Sequence, residues 1–305
     1  MPAPRGGVSS LHKIHYTRPR CEWLVARTVE CFYPGDSFPA ISITGKVCSL
    51  NCKHCGRKYL EGMIPATTPS DLIEIAEALA QRGASGFLLS GGADRDGKVR
   101  LANYAGAIRE IKSTTDLKVN AHIGLTSADD IGALVESGID AFSVDVYGSD
   151  TTIHEVLGLN SRVQDYLKVI DDLEQSGAKV VAPHVCIGIH EGELKGEFDA
   201  IGALKPHNPK TLILISLIPT KGTAYEDVPA PSADTVIAVI LRAREELPST
   251  KILLGCMRSK LDRSPECRYV AAGLDGIVLP ANSTVAQLTT EGYRIRKRSV
   301  CCSLI

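Results

Sequence analysis

From Pro39 onward the chain alternates between two hydrophobic patterns. Short runs of aliphatic and β-branched residues, the composition of a strand covered on both faces, give way to stretches with apolar positions at helical spacing. The runs are 39–44, 86–90, 117–123, 141–146, 179–187, 211–217, 251–255 and 276–279. The clearest helix starts after Thr68, with Pro69 in the first turn, Leu72, Ile75, Ala76 and Leu79 on one face and Gly83 beyond its end. Further amphipathic segments are 128–137, 163–176, 196–204, 233–247 and 285–290. Gly83, Gly138, Gly177 and Gly273 each stand just before the next run, where a helix must end for a strand to begin. Eight such runs in about 240 residues predict an α/β chain folded as a (β/α)8 TIM-type barrel, with a doubly wound open sheet as the rival. The barrel spans 39–282. An N-terminal extension, 1–38, precedes it, with 24–32 readable as a short strand or helix. A C-terminal helix and Cys-Cys tail, 283–305, are expected to pack back on it.

Composition narrows the classes of function. A formal net charge of −1 offers no broad attraction to nucleic acid or an anionic membrane. No run of about 18 apolar residues marks a membrane span, and the first residues lack the apolar core of a signal peptide. Ten cysteines in such a chain read as reduced thiols serving metals rather than a disulfide framework, which points to the cytoplasm.

Three of those thiols, Cys48, Cys52 and Cys55, fall within eight residues directly after the first predicted strand. Thiolates are the usual ligands of iron–sulfur clusters, and three of them on a cubane leave one iron open. The i, i+4, i+7 spacing also suits a buried thiol stripe on a helix, but Asn51, Lys53, His54 and Gly56 are poor neighbours for one. Zinc usually requires a second ligand pair at set spacing.

At these residues the chain resembles the radical S-adenosylmethionine (SAM) superfamily, whose signature is C-x3-C-x2-C with an aromatic residue before the last cysteine, the place held here by His54. The resemblance implies a [4Fe–4S] cluster whose open iron binds the amino and carboxylate groups of SAM. It also implies reductive cleavage to a 5′-deoxyadenosyl radical that abstracts hydrogen from an unactivated C–H bond, with an electron donor of the ferredoxin or flavodoxin type. Ser90, Gly91 and Gly92 match the family's glycine pair that approaches the SAM amino group, although Ala93 replaces its usual glutamate. Asn120, His122 and Asp145 are polar residues inside apolar runs, so they must find partners, either in SAM and substrate or across neighbouring strands. Gly188 and Pro219 lie in turns resembling those that approach SAM in the biotin synthase branch.

Cys256 is expected at the barrel mouth beside Arg258, a setting that favours a thiolate, whereas Cys267 reads as a packed thiol. The tail ends Cys301-Cys302-Ser303-Leu304-Ile305. The preferred reading has Cys301 and Cys302 ligate a second [4Fe–4S] cluster with Cys256 and with Cys31 or Cys21. Within the superfamily the resemblance points to the biotin synthase and lipoyl synthase branch, and in it to subunits of the two-subunit lipoyl synthases of the archaeal type. That implies sulfur insertion into an octanoyl chain carried by a lipoyl domain or H protein, with a sister subunit and the auxiliary cluster as sulfur donor. The alternatives are another biotin-synthase-like enzyme of cofactor biosynthesis acting on a small molecule, and a non-catalytic iron–sulfur scaffold.

Overall fold

The computed structural model describes residues 27–305, so Cys21 and the first part of the N-terminal extension lie outside the described residues. Eleven strands form one sheet. They are β1 (Thr28–Phe32), β2 (Ala40–Ser42), β3 (Ile64–Pro65), β4 (Gly86–Ser90), β5 (Lys118–Ile123) and β6 (Ala141–Asp145), followed by β7 (Val181–Ile187), β8 (Thr211–Ser216), β9 (Lys251–Leu254), β10 (Gly276–Val278) and β11 (Arg294–Arg298). Every ladder is parallel, in the order β11-β1-β10-β9-β8-β7-β6-β5-β4-β2-β3. Thus β2 and β4 to β10 follow one another as the eight predicted runs do, each link crossing the outside through a helix. The architecture is the predicted α/β succession in an open form, a half-barrel, since no ladder among the described residues joins β2 or β3 to β1 or β11.

Alternation along each strand sorts the side chains. Val119, Ala121 and Ile123 of β5 pack outward, in the same cluster as Leu72, Ala76 and Leu79 of helix Pro69–Gln81. Phe32, Ala182, Ile213, Leu253 and Val278 face inward and form a second, smaller cluster. The first helix starts as predicted: Thr68 Oγ1 accepts from Asp71 N (3.1 Å), and Asp71 Oδ2 accepts from Thr68 N (2.9 Å).

Among the elements with no counterpart in the sequence reading are β3, helix Ala105–Thr114, the short helical turn Asp150–Thr152 and β11 (Arg294–Arg298). The last, Arg-Ile-Arg-Lys-Arg, is an edge strand stabilised by charge. Buried Glu30 of β1 accepts from Arg296 Nη1 (3.0 Å) and Arg298 Nε (2.9 Å). Beyond β11 the chain passes the start of β4, where Ser85 Oγ donates to Ser299 O (3.1 Å). It then enters the concave side, and Cys302 joins the inner apolar cluster.

Candidate functional site

The loop after β2 is stitched to the segment after β4. Ile43 N donates to Ser90 O (2.9 Å), Ser49 N to Ala93 O (2.8 Å) and Gly92 N to Thr44 Oγ1 (2.7 Å). A Cβ on Gly92 would lie 2.0 Å from Val47 O and 2.7 Å from Cys48 Cβ, so only glycine lets the two segments meet. Cys48 Sγ lies 3.6 Å from Ala93 O, and Cys52 Sγ 3.6 Å from Leu157 O. Lys53 N donates to Val156 O (2.9 Å), so the wide turn after β6 supports the middle of the loop. Gly56 N and Cys55 N both donate to Cys52 O (2.9 and 3.2 Å), and left-handed Gly56 and Arg57 close the turn. Three sulfurs are thereby presented from one short loop.

Their electrostatics suit a cation. Cys55 is drawn below the ordinary thiol range by its hydrogen bond with Cys52, against the effect of burial, with Arg57 helping. Cys52 is pushed up by that same shared proton, by burial and by the charges of Cys55 and Cys48. Crowded thiols that cannot all ionise alone can do so around iron. His54 Nδ1 is buried and finds no partner among the described residues. Burial holds that ring neutral, with its pKa lowered to about 4 against the opposing pull of Asp145. An orphaned ring nitrogen beside three loop thiols and a glycine cradle fits a polar, iron-bound ligand at this place.

Replacement of Gly92 by alanine is expected to push Cys48 out of position. SAM cleavage should fall between about 10-fold and 100-fold, as for outer supports of metal ligands. The far-UV circular dichroism should remain that of the wild type. Unchanged turnover would show that the cradle is dispensable.

Deeper inside, Asp145 Oδ1 lies 3.4 Å from His122 Nε2, and the His122 and His184 rings stack with centroids 5.4 Å apart. Burial opposes charge on both members of the first pair. Their mutual attraction outweighs it, lowering Asp145 and raising His122. His184, lowered to about 4 by burial and by His122, stays neutral, with Nδ1 placed 2.9 Å from Ala182 O. His184 was not singled out in the sequence, though its alternation with Ala182 and Cys186 along β7 was the available signal.

The other expected cofactor residues divide. The turn holding Pro219 abuts the cysteine loop, where Tyr59 OH and Thr220 Oγ1 are 3.2 Å apart and Gly56 is packed against Thr223. Ser90 Oγ donates to His122 O (2.9 Å) and so ties β4 to β5. Gly188 N donates to buried Glu197 Oε1 (2.8 Å), which commits that amide to its own loop rather than to a cofactor. Asp94, the carboxylate next to Ala93 where the family's glutamate is missing, is committed to Arg100 Nη2 (2.7 Å) and to the amides of Asp96 and Lys98. Asn120, for which SAM, substrate or a neighbouring strand was expected as partner, donates to Cys301 Sγ (3.4 Å) and accepts from Ser143 Oγ of the neighbouring β6 (3.0 Å).

Cys301 and Cys302 lie on the inner side, while Cys256, just beyond β9, is exposed. Burial and then the charge of Cys301 raise Cys256, while Cys301 and Cys256 both raise Cys302. Cys301 itself is pushed down by its bond from Cys302, against burial, with help from Ser303 and Asn120. Cys31 does not join them. It packs in the helix-facing cluster, while the next residue, Phe32, faces inward, so strand alternation turns the thiol away. Cys267 also lies outside, 3.9 Å from Thr284 O.

The sequence profile of the radical SAM superfamily matches residues 42–201, from the first strand through the cysteine loop to the crossover after β7. Biotin synthase of Marinobacter nauticus is 24% identical over 250 residues, covering 78% of this chain and 68% of that one. Biotin synthase of Alkaliphilus metalliredigens is 26% identical over 274 residues, covering 86% and 82%. Among solved structures, HydG, a maturase of the [FeFe]-hydrogenase, superimposes with a TM-score of 0.66 at 17% identity, over 88% of this chain and 64% of its own. Methylornithine synthase gives 0.60 at 15% identity, over 90% and 85%. At such identities the structural likenesses speak for the fold alone.

Proposed function

Because the chain belongs to the radical SAM superfamily, a family that uses a [4Fe–4S] cluster and SAM, we propose that it is a sulfur-inserting enzyme acting on a protein-bound octanoyl chain. In this reading Cys48, Cys52 and Cys55 hold the SAM cluster, and Cys256, Cys301 and Cys302 hold a second [4Fe–4S] cluster that donates sulfur. Bound there, the first cluster supplies the electron that splits SAM, and with it the means of abstracting hydrogen from an unactivated carbon.

The chain's own residues bind, orient and shield. The Gly92 cradle seats Cys48, and the turn after β6 backs Cys52. Neutral His54 offers Nδ1 to a bound polar group without adding charge beside the cluster. The His122–Asp145 pair and the stacked ring of His184 would, in this reading, face the substrate, where a reactive carbon has to be kept from water. The observation that carries the two-cluster reading is the turn that brings Cys301 and Cys302 back into the inner apolar cluster, with Asn120 Nδ2 3.4 Å from Cys301 Sγ.

The partners of this reading are an octanoylated lipoyl domain or H protein, a sister subunit and a ferredoxin- or flavodoxin-type donor. No helix among the described residues is long and apolar enough to cross a membrane, in keeping with work in the cytoplasm. Similarity to biotin synthases equally favours a second reading, an enzyme of the same branch that acts on a small molecule.

Iron counting comes first. The anaerobically reconstituted protein should hold about eight irons per chain, and a Cys301→Ala/Cys302→Ala variant about four, the content of one cubane. An octanoyl-lysine peptide assayed with a sister subunit should then acquire sulfur. Formation of 5′-deoxyadenosine without a thiolated peptide would reject this substrate in favour of a small molecule.

A further inference from the structure

Asn120, Ser143 and Ser303 are all buried on the concave side, far from bulk water. Asn120 Nδ2 reaches Cys301 Sγ at 3.4 Å, Asn120 Oδ1 accepts from Ser143 Oγ at 3.0 Å, and Ser143 Oγ meets Ser303 Oγ at 3.0 Å. The three side chains therefore form one hydrogen-bonded string from β5 across β6 to the tail and back to a cysteine sulfur. From Asn120, Ser143 and Ser303 we infer a register lock for the C-terminal turn, positioning residues that hold Cys301 toward Cys256 for the second cluster. The inference rests on the two-cluster reading above.

The physical case is one of satisfaction. Polar groups in an apolar interior must pair, and the inner cluster of Phe32, Ala182, Ile213, Leu253 and Val278 offers Ser303 nothing to bond. Ser143 supplies the missing hydroxyl, so Ser303 fits at one depth only. Sliding the tail by one residue would set Cys302 or Leu304 against Ser143, breaking the Ser143–Ser303 bond and driving the Ser303 hydroxyl into the apolar layer. At the observed depth Cys302 packs into that layer, and Cys301 takes the Asn120 amide as a donor to its sulfur. Donors aimed at a ligating sulfur are outer-shell partners of the kind that tune a metal centre. The lock is built from three elements distant in sequence, and the second cluster is where such placement would matter.

The test uses the full-length chain with Ser143→Ala, Ser143→Thr and Asn120→Asp. In the metal-free protein, amide exchange over residues 301–305 should quicken about tenfold in Ser143→Ala, the expected effect of losing one buried hydrogen bond. A peptide from helix Val163–Gln175 should be unchanged, which reports that the fold persists. Ser143→Thr, which keeps the hydroxyl, should restore slow exchange. In the reconstituted protein, Asn120→Asp should shift the electron paramagnetic resonance of the second cluster and leave that of the SAM cluster in place. About eight irons in the wild type, with tail exchange and second-cluster spectrum unaltered in the variants, would overturn the lock alone. About four irons in the wild type would overturn the two-cluster reading and this inference with it.

Discussion

Replacing Cys52 with alanine is expected to abolish SAM cleavage while leaving the fold standing. Cys52 is the middle of the three loop thiols. Its backbone oxygen receives two amides, its sulfur sits against Leu157 O, and it shares a proton with Cys55. On the proposed assignment, loss of this sulfur would remove one of the three ligands that hold the SAM cluster. The outer supports of a metal ligand already account for about 10-fold to 100-fold in affinity or activity, so loss of the ligand itself should lower 5′-deoxyadenosine formation by more than about 100-fold. The loop lies outside the parallel ladders, and circular dichroism should not change. A Cys52→Ala protein that still cleaves SAM at the wild-type rate would contradict the assignment.

Glu266→Ala is expected to have the largest effect on stability. Arg258 and Glu266 form a pair sealed from solvent, with Arg258 Nη2 at 2.8 Å from Glu266 Oε1. The same guanidinium donates through Nη1 to Gly255 O and Val278 O (2.9 and 2.8 Å), which ties the ends of β9 and β10 together. Glu266 Oε2 also accepts from Ala281 N (2.8 Å) and Thr284 Oγ1 (2.7 Å). Removing the carboxylate strands a buried cation and two further donors. Breaking a buried pair on one side costs about 3–5 kcal/mol, measurable by chemical denaturation. The pH dependence has a definite sign. Burial alone would raise the Glu266 pKa, but the amide of Ala281, Thr284 and Arg258 outweigh it and lower the folded value. The stabilisation is therefore present above the unfolded carboxylate pKa and lost as pH falls through the folded one, so acidification should close part of the gap between wild type and variant. A gap that widens in acid, or a variant as stable as the wild type at neutral pH, would show that the pair holds nothing in place. Cys256 lies one residue beyond the clamped Gly255 and should loosen with it.

The parts of the fold legible in the sequence were those governed by short-range rules. Buried parallel strands appear as unbroken apolar runs, and the Thr68 capping box marked its helix. β11 escaped because its cohesion is ionic. Three arginines and a lysine carry no strand pattern, and the tail's expected return to the barrel named no partner for them, since Glu30 lies on a strand far back in the sequence. Helix Ala105–Thr114 was passed over between two clearer runs. In the candidate site, the cysteine loop stood out because its three thiols lie within eight residues. Gly91 and Gly92 stood out through their place after a strand, where the structure packs Gly92 against Cys48. What depended on contacts far apart in the chain did not. Asn120 could be read only as a polar residue inside an apolar run, with SAM, substrate or a neighbouring strand as its partner, because Cys301, whose sulfur it meets, is 181 residues away. Cys31 was grouped with the inner thiols because 24–32 had no settled conformation in the sequence. Once β1 is a strand, parity alone turns Cys31 toward the helices.

The most direct measurement of the central claim is electron–nuclear double resonance on the anaerobically reconstituted, reduced protein mixed with SAM labelled at its amino nitrogen and carboxylate carbon. Coupling of both labels to one iron, lost in Cys52→Ala, is the predicted result. A loop that takes up zinc, or an iron cluster that shows no coupling to either label, would contradict it.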